Sequence, residues 1–158
     1  MHRNPIYITF LLLLFSCSSM VYKPTPKENL TKERIEKAKK FADTFFNKCK
    51  NNDYTEFQGF DIDINYKKGL ASDELKKKCE NLSARAGEIS VGEFNNSITA
   101  NHPMDYADLL VFNAKSSTND SVKYVAVGLY RDKDFIYGIT LTNRSTPKIH
   151  VRLIKWKV

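Results

Sequence analysis

Ile35, Ala38, Ala42, Phe45 and Cys49 recur at intervals of three and four, flanked by Phe41 and Phe46, while Lys37, Lys39, Lys40 and Lys48 fall off that stripe. This spacing predicts an amphipathic helix with one broad apolar face. Thr31 is placed to cap it, Glu33 suits the positive first turn, and Asn51-Asn52 stop it. A second helix is predicted from Ser72, a capping hydroxyl followed by Asp73 and Glu74, through the stripe Leu75, Cys79, Leu82 and Ala86 to Gly87. Between the two, Tyr54, Phe57 and Phe60 have the spacing of a single helical turn. Asp61 to Tyr66 alternates like a short strand.

From Glu88 the period changes to two. Ile89 and Val91 open a strand, Gly92 marks a bulge, and Phe94 and Ile98 continue it to the turn at Asn101-His102-Pro103. Tyr106 to Ala114 is apolar on both faces, as in a central, covered strand. Val122–Tyr130 and Phe135–Thr142 read as a hairpin about the turn Arg131-Asp132-Lys133-Asp134, and Ile149, Val151 and Leu153 suggest a last, basic-faced strand after Pro147. The expected fold is therefore α+β: two long amphipathic helices packed on one face of a curved antiparallel sheet of four to five strands.

That order resembles the nuclear transport factor 2-like (cystatin-like) superfamily. Three stretches carry the resemblance: Ala38–Phe46 with Asp53-Tyr54 as its opening helix, Ser72–Lys76 through Ala86–Ile89 as its second helix, and Leu129–Ile139 as its final sheet pair. It covers residues 32–143 and implies a cone between helices and sheet. The superfamily hosts both isomerases and non-catalytic modules, so fold alone assigns no activity.

The N-terminus adds a location. His2 and Arg3 precede Ile6–Phe15, an apolar run broken only by Thr9 and too short to cross a bilayer. Leu14-Phe15-Ser16-Cys17 follows, and it resembles the lipobox of bacterial lipoproteins. The resemblance implies cleavage between Ser16 and Cys17 and a diacylglyceryl group on the Cys17 thiol, two acyl chains being enough for stable anchoring. An ordinary secretory signal with an incidental cysteine is the alternative. The expected organisation is a signal peptide over 1–16, the lipidated cysteine and a Pro24- and Pro26-stiffened tether over 17–31, and one domain over 32–158. The expected location is the bacterial cell envelope, on the periplasmic or surface side of the outer membrane.

The chain carries 25 Lys+Arg against 18 Asp+Glu, a net +7, spread along its length and not clustered. This favours solubility and permits contact with an anionic lipid surface; nucleic acid is not an expected partner of an exported protein. The positive C-terminal residues Lys148, Arg152, Lys155 and Lys157 with Trp156 suit either such a contact or a charged edge strand.

Candidate chemistry is sparse. Cys49 and Cys79 lie on the apolar faces of their helices, and in an oxidising compartment they form either a disulfide or two buried thiols. Asp61-x-Asp63-x-Asn65 opens like a calcium loop, but Tyr66 and Ser72 stand where the glycine and the closing acid belong. His102 and His150 have no close-spaced partner for zinc. No metal and no cofactor are expected. If the cone held a proton-shuttling pocket, its acid would be Asp63 or Asp108 and its aromatic lining Tyr106, Tyr124 or Tyr137, an aspartate on the outward side of its strand being the plain alternative for Asp108. No residue matches a catalytic motif. The expected function is a non-catalytic, lipid-anchored module that binds an envelope protein or a small ligand. The alternatives are a pocket enzyme or binder of the ketosteroid-isomerase-like type, and an immunity or inhibitor protein.

Overall fold

The computed structural model describes residues 22–100 and 107–146. Cys17, Ser16, Tyr106, both turn and C-terminal histidines and the expected last strand lie outside them. The order is β1 (Tyr22–Pro24), one 3-10 turn (Lys27–Asn29), α1 (Lys32–Lys50), α2 (Ile64–Lys68), α3 (Ser72–Ala86), β2 (Ile89–Ala100), β3 (Ala107–Ser116), β4 (Tyr124–Tyr130) and β5 (Ile136–Thr142). All five strands are antiparallel neighbours in chain order, and the helices pack on the sheet, an α+β architecture.

α1 forms as its stripe requires. The Thr31 hydroxyl accepts from the Arg34 amide at 3.2 Å, and Ala38, Phe41, Ala42, Phe45 and Phe46 are buried. Phe41 is the hub: its ring lies 5.3 Å from both Phe57 and Phe60 and 6.4 Å from Tyr66. Across the interface the sheet offers Leu110, Phe112, Val125, Val127 and Leu129, all without exposed surface. Burying side chains of this size stabilises by about 1.5–3 kcal/mol each. α3 adds Leu75 and Cys79 to the same core and ends at Gly87, whose φ of +60° suits glycine; a Cβ there would strike the Ser117 hydroxyl.

The sheet has a second apolar face. Ile98, Ala107, Leu109 and Tyr137 cluster there with Tyr22 and Tyr130, and no helix residue belongs to that group. The Tyr137 ring lies flat over Gly128, where any Cβ would overlap it. β2 accommodates its length with register shifts between Val91 and Phe94 and again before Asn96, at the position where Gly92 predicts a bulge.

Four sequence expectations need correction. Residues 22–31 are not a tether: Tyr22–Pro24 pair with Ile98–Ala100, and the Thr25 amide donates to the Ser97 carbonyl at 3.0 Å. Pro24 is tolerated because β1 is the edge strand, where a missing N–H costs no ladder bond. Tyr54–Phe60 form no helical turn; their aromatic rings fill space under α1 without helical hydrogen bonds. Asp61–Tyr66 is not a strand. Ile62 makes one parallel bridge to Ile136, after which Asp63 caps α2 by accepting from the amides of Asn65 and Tyr66. The cap of α3 is Ala71, with no side-chain hydrogen bond, so Ser72 is the first helical residue.

A disulfide joins Cys49 at the end of α1 to Cys79 in the middle of α3, thirty residues on. Constraining a loop of that size stabilises by about 3–4 kcal/mol in the chain-entropy model. Replacing both cysteines by serine (Cys49→Ser with Cys79→Ser) should lower the urea midpoint by an equivalent amount and deprotect α3 amides in hydrogen exchange before those of the sheet. An unchanged midpoint contradicts this.

Candidate functional site

Asp108 is the one fully buried acid among the described residues. It stands on β3 at the same parity as Leu110 and Phe112 and therefore faces the helices, which corrects the outward alternative. Arg34, one turn into α1 and 8% exposed, donates from Nη1 to Asp108 Oδ2 at 2.9 Å. Arg131, from the β4–β5 turn, donates from Nη2 and Nε to Oδ1 at 3.2 and 3.4 Å. Arg131 also bonds the Thr99 hydroxyl on the neighbouring strand. Arg34 completes its fork with the Asn29 carbonyl, the Tyr130 carbonyl and the Asp134 carboxylate. Two arginines and two aspartates thus form a neutral cluster that ties the helix start, the sheet and one turn together. Asp134 holds the left-handed conformation, φ +51°, that closes this turn and presents its carboxylate to Arg34.

The other candidates among the described residues do not gather around this acid. Tyr124 alternates with Val125 and Tyr137 belongs to the second apolar face, so the sheet separates both from Asp108. Asp63 is spent on capping α2. Asp61 pairs with Lys37 at 2.9 Å, and no cluster able to hold a metal ion exists among the described residues. The recess bounded by Phe45, Lys78, Leu82 and Ile139–Leu141 measures about 10 Å³, no more than one ordered water occupies, while wider grooves of about 520 and 450 Å³ open where the end of α1 meets α3 and where α1 meets β2 and β3; none of the three is lined by Asp108.

A further cleft, of about 610 Å³, is lined by no residue of the five strands. Tyr54, Thr55, Glu56 and Phe57 make one wall, Leu70–Ser72 the other, with Ile62 and Lys67 between them. The first wall is irregular in backbone yet firmly held. Lys48, about 10% exposed, directs its ammonium to the Asp53 carboxylate at 2.8 Å, the Thr55 hydroxyl at 2.7 Å and the Thr55 carbonyl at 3.0 Å, which uses all three of its protons. The Lys48 bond, followed by those from the Thr55 hydroxyl and amide, holds the Asp53 carboxyl well below the usual carboxylate range. The second wall is pinned by Lys78, whose ammonium bonds the Gly69 carbonyl and whose burial lowers its pKa. Glu56 and Lys67 form an ion pair across the cleft, each more than half exposed, and the pairing lowers the Glu56 pKa. Beside the cleft, burial pushes the Tyr66 phenol above the ordinary tyrosine range, offset in part by the Ile139 backbone.

Sequence pattern did not single out Arg34, Arg131, Lys48, Lys67 or Tyr66. The signal for Arg34 was present: it is the one cation at the start of α1 that falls next to the apolar stripe, one residue before Ile35. Among the described residues no helix is long and apolar enough to cross a membrane. The chain matches no family model, no curated protein and no solved structure.

Two outcomes follow from these contacts. Asp108→Ala leaves Arg34 buried beside a void and should cost about 3–5 kcal/mol, whereas Asp134→Asn, which removes the charge at a half-exposed site and still tolerates the left-handed conformation, should cost about 1 kcal/mol or less; equal losses in urea denaturation would refute the assignment. Asp53 has its pKa depressed by folding, so its stabilisation is present above the ordinary value of 3.8 and fades as pH falls below it. The midpoint gap between the wild type and Asp53→Asn should accordingly be full at neutral pH and narrow on acidification.

Proposed function

We propose that this chain is a lipid-anchored bacterial envelope protein whose domain, a cystatin-like cone of the nuclear transport factor 2-like kind, is a non-catalytic binding module. The observation that carries the binding half is the state of Asp108. An acid that shuttles protons needs a substrate-facing void and an oxygen free to reach the substrate. Asp108 instead has both oxygens committed to guanidinium groups, in an interior filled by Phe41, Phe45 and Phe112. The isomerase-type alternative would place an acid and a tyrosine in one pocket, and the sheet stands between Asp108 and both Tyr124 and Tyr137. An immunity or inhibitor protein is a special case of a binding module.

The anchoring half is supported by the Leu14-Phe15-Ser16-Cys17 step after an apolar run of signal-peptide length. The meander of β2 to β5 against one long helix supports the cone. In cells, Cys17→Ser should shift the protein from the detergent-extracted membrane fraction to the soluble fraction, and radiolabelled palmitate should mark only the wild type. Unchanged partitioning, or a mature product that begins at Met1, overturns the anchor.

A further inference from the structure

We infer that the cleft between Tyr54–Phe57 and Leu70–Ser72 is the ligand site, and that it takes a small amphipathic carboxylate: an apolar body in the cleft, the acid group on Lys67. This inference rests on the domain being a binding module and adds the place and the ligand class.

The volume, about 610 Å³, falls within the roughly 300–1,000 Å³ typical of small-molecule sites. Phe57 and Leu70 are buried in the walls and Tyr54 and Ile62 are half-buried, so an apolar body entering the cleft leaves water for hydrocarbon and aromatic surface. Ser72 offers a hydroxyl at its border, that of Thr55 being engaged with Lys48 and Asp53. The walls are also preorganised. Lys48 locks Asp53 and Thr55 from behind, Lys78 holds Gly69, and the Cys49–Cys79 disulfide fixes α3 to the end of α1. Little ordering is then required of the protein when a ligand enters, which favours affinity.

Charge selects the polar group. The two charged side chains lining the cleft are Glu56 and Lys67, paired with each other and both open to water. A carboxylate that takes over Lys67 returns Glu56 to water at small cost, because an exposed ion pair contributes little. An ammonium taking over Glu56 has the same exchange available, but three features oppose it. Lys68 follows Lys67 in the last turn of α2, the positive end of α3 opens at Ala71 without a capping side chain, and Lys78 stands behind Gly69. Of the nearby acids, Asp53 is consumed by Lys48 and Thr55, Asp63 by capping α2 and Glu74 by Lys77; like Lys68 and Lys78, neither these nor Asp73 line the cleft, and they act on it only from a distance.

The test uses the full chain carrying Cys17→Ser, so that no attached lipid competes, labelled with nitrogen-15 and titrated with octanoate, octanol and octylamine. Octanoate should shift the amide resonances of residues 54–57, 62 and 67–72 saturably and bind tighter than octanol, by no more than about fivefold, since its pair with Lys67 replaces an exposed pair of the same kind. Lys67→Ala should erase that preference and Lys67→Arg retain it, while Ala71→Phe, which fills the cleft from an exposed position, should abolish binding of all three. Octylamine binding as tightly as octanoate, or shifts scattered away from the cleft, overturns the inference. Octanoate that fails to bind, while Cys17→Ser still releases the protein from membranes, sinks the cleft assignment alone. A titrant recovered chemically altered supports the cleft and sinks the non-catalytic reading.

Discussion

The packing of the α1 phenylalanines onto the sheet is the constraint on which everything else depends. Phe41 and Phe45 fill the space between helices and sheet, meeting Phe57, Phe112 and the valines of β4. These rings fill the space around Asp108, and the open clefts among the described residues lie around that filled core. The one proposed as the ligand site is walled by irregular backbone and the ends of short helices.

The buried charges act on a different property. Arg34, Asp108, Arg131 and Asp134 are mutually satisfied, and such a cluster gains less in net stability than its short distances suggest, since desolvation offsets the attraction. Its effect is positional: one guanidinium fork reads the Asn29 carbonyl, the Tyr130 carbonyl and two carboxylates at once, so α1 can enter the sheet in only one register. An all-apolar contact there would tolerate sliding. Lys48 plays a comparable part at the other end of α1, where it organises a loop that has no ladder of its own.

How far the sequence disclosed this depends on whether a signal was local. α1, α3 and the β4–β5 hairpin were legible because their apolar periods and turn residues are contiguous, and the central strand because both its faces are apolar. β1 was not. Three residues ending in proline carry no alternation, and they are extended only because β2, more than seventy positions later, offers them hydrogen bonds. Asp108 shows the same limit. On a strand covered on both sides, parity cannot tell which layer an acid faces, and its partner Arg34 is 74 residues away. Asp63 and Ser72 were misread for a smaller reason: several oxygens compete for each helix start, and the residue one step earlier or later wins by backbone conformation. The peripheral cleft had no sequence signature, because its walls come from segments without regular period.

The early start of β1 bears on where the molecule would stand. Only four residues separate Cys17 from Tyr22, a leash of at most about 17 Å when fully drawn out. If the proposed lipid is carried at that sulfur, the domain would be kept within that distance of the lipid surface. β5, to which Ile62 is bridged, is the opposite margin of a sheet some four strand spacings wide, about 19 Å, so a link entering at β1 would hold that edge closer to the bilayer than the side that carries Ile62.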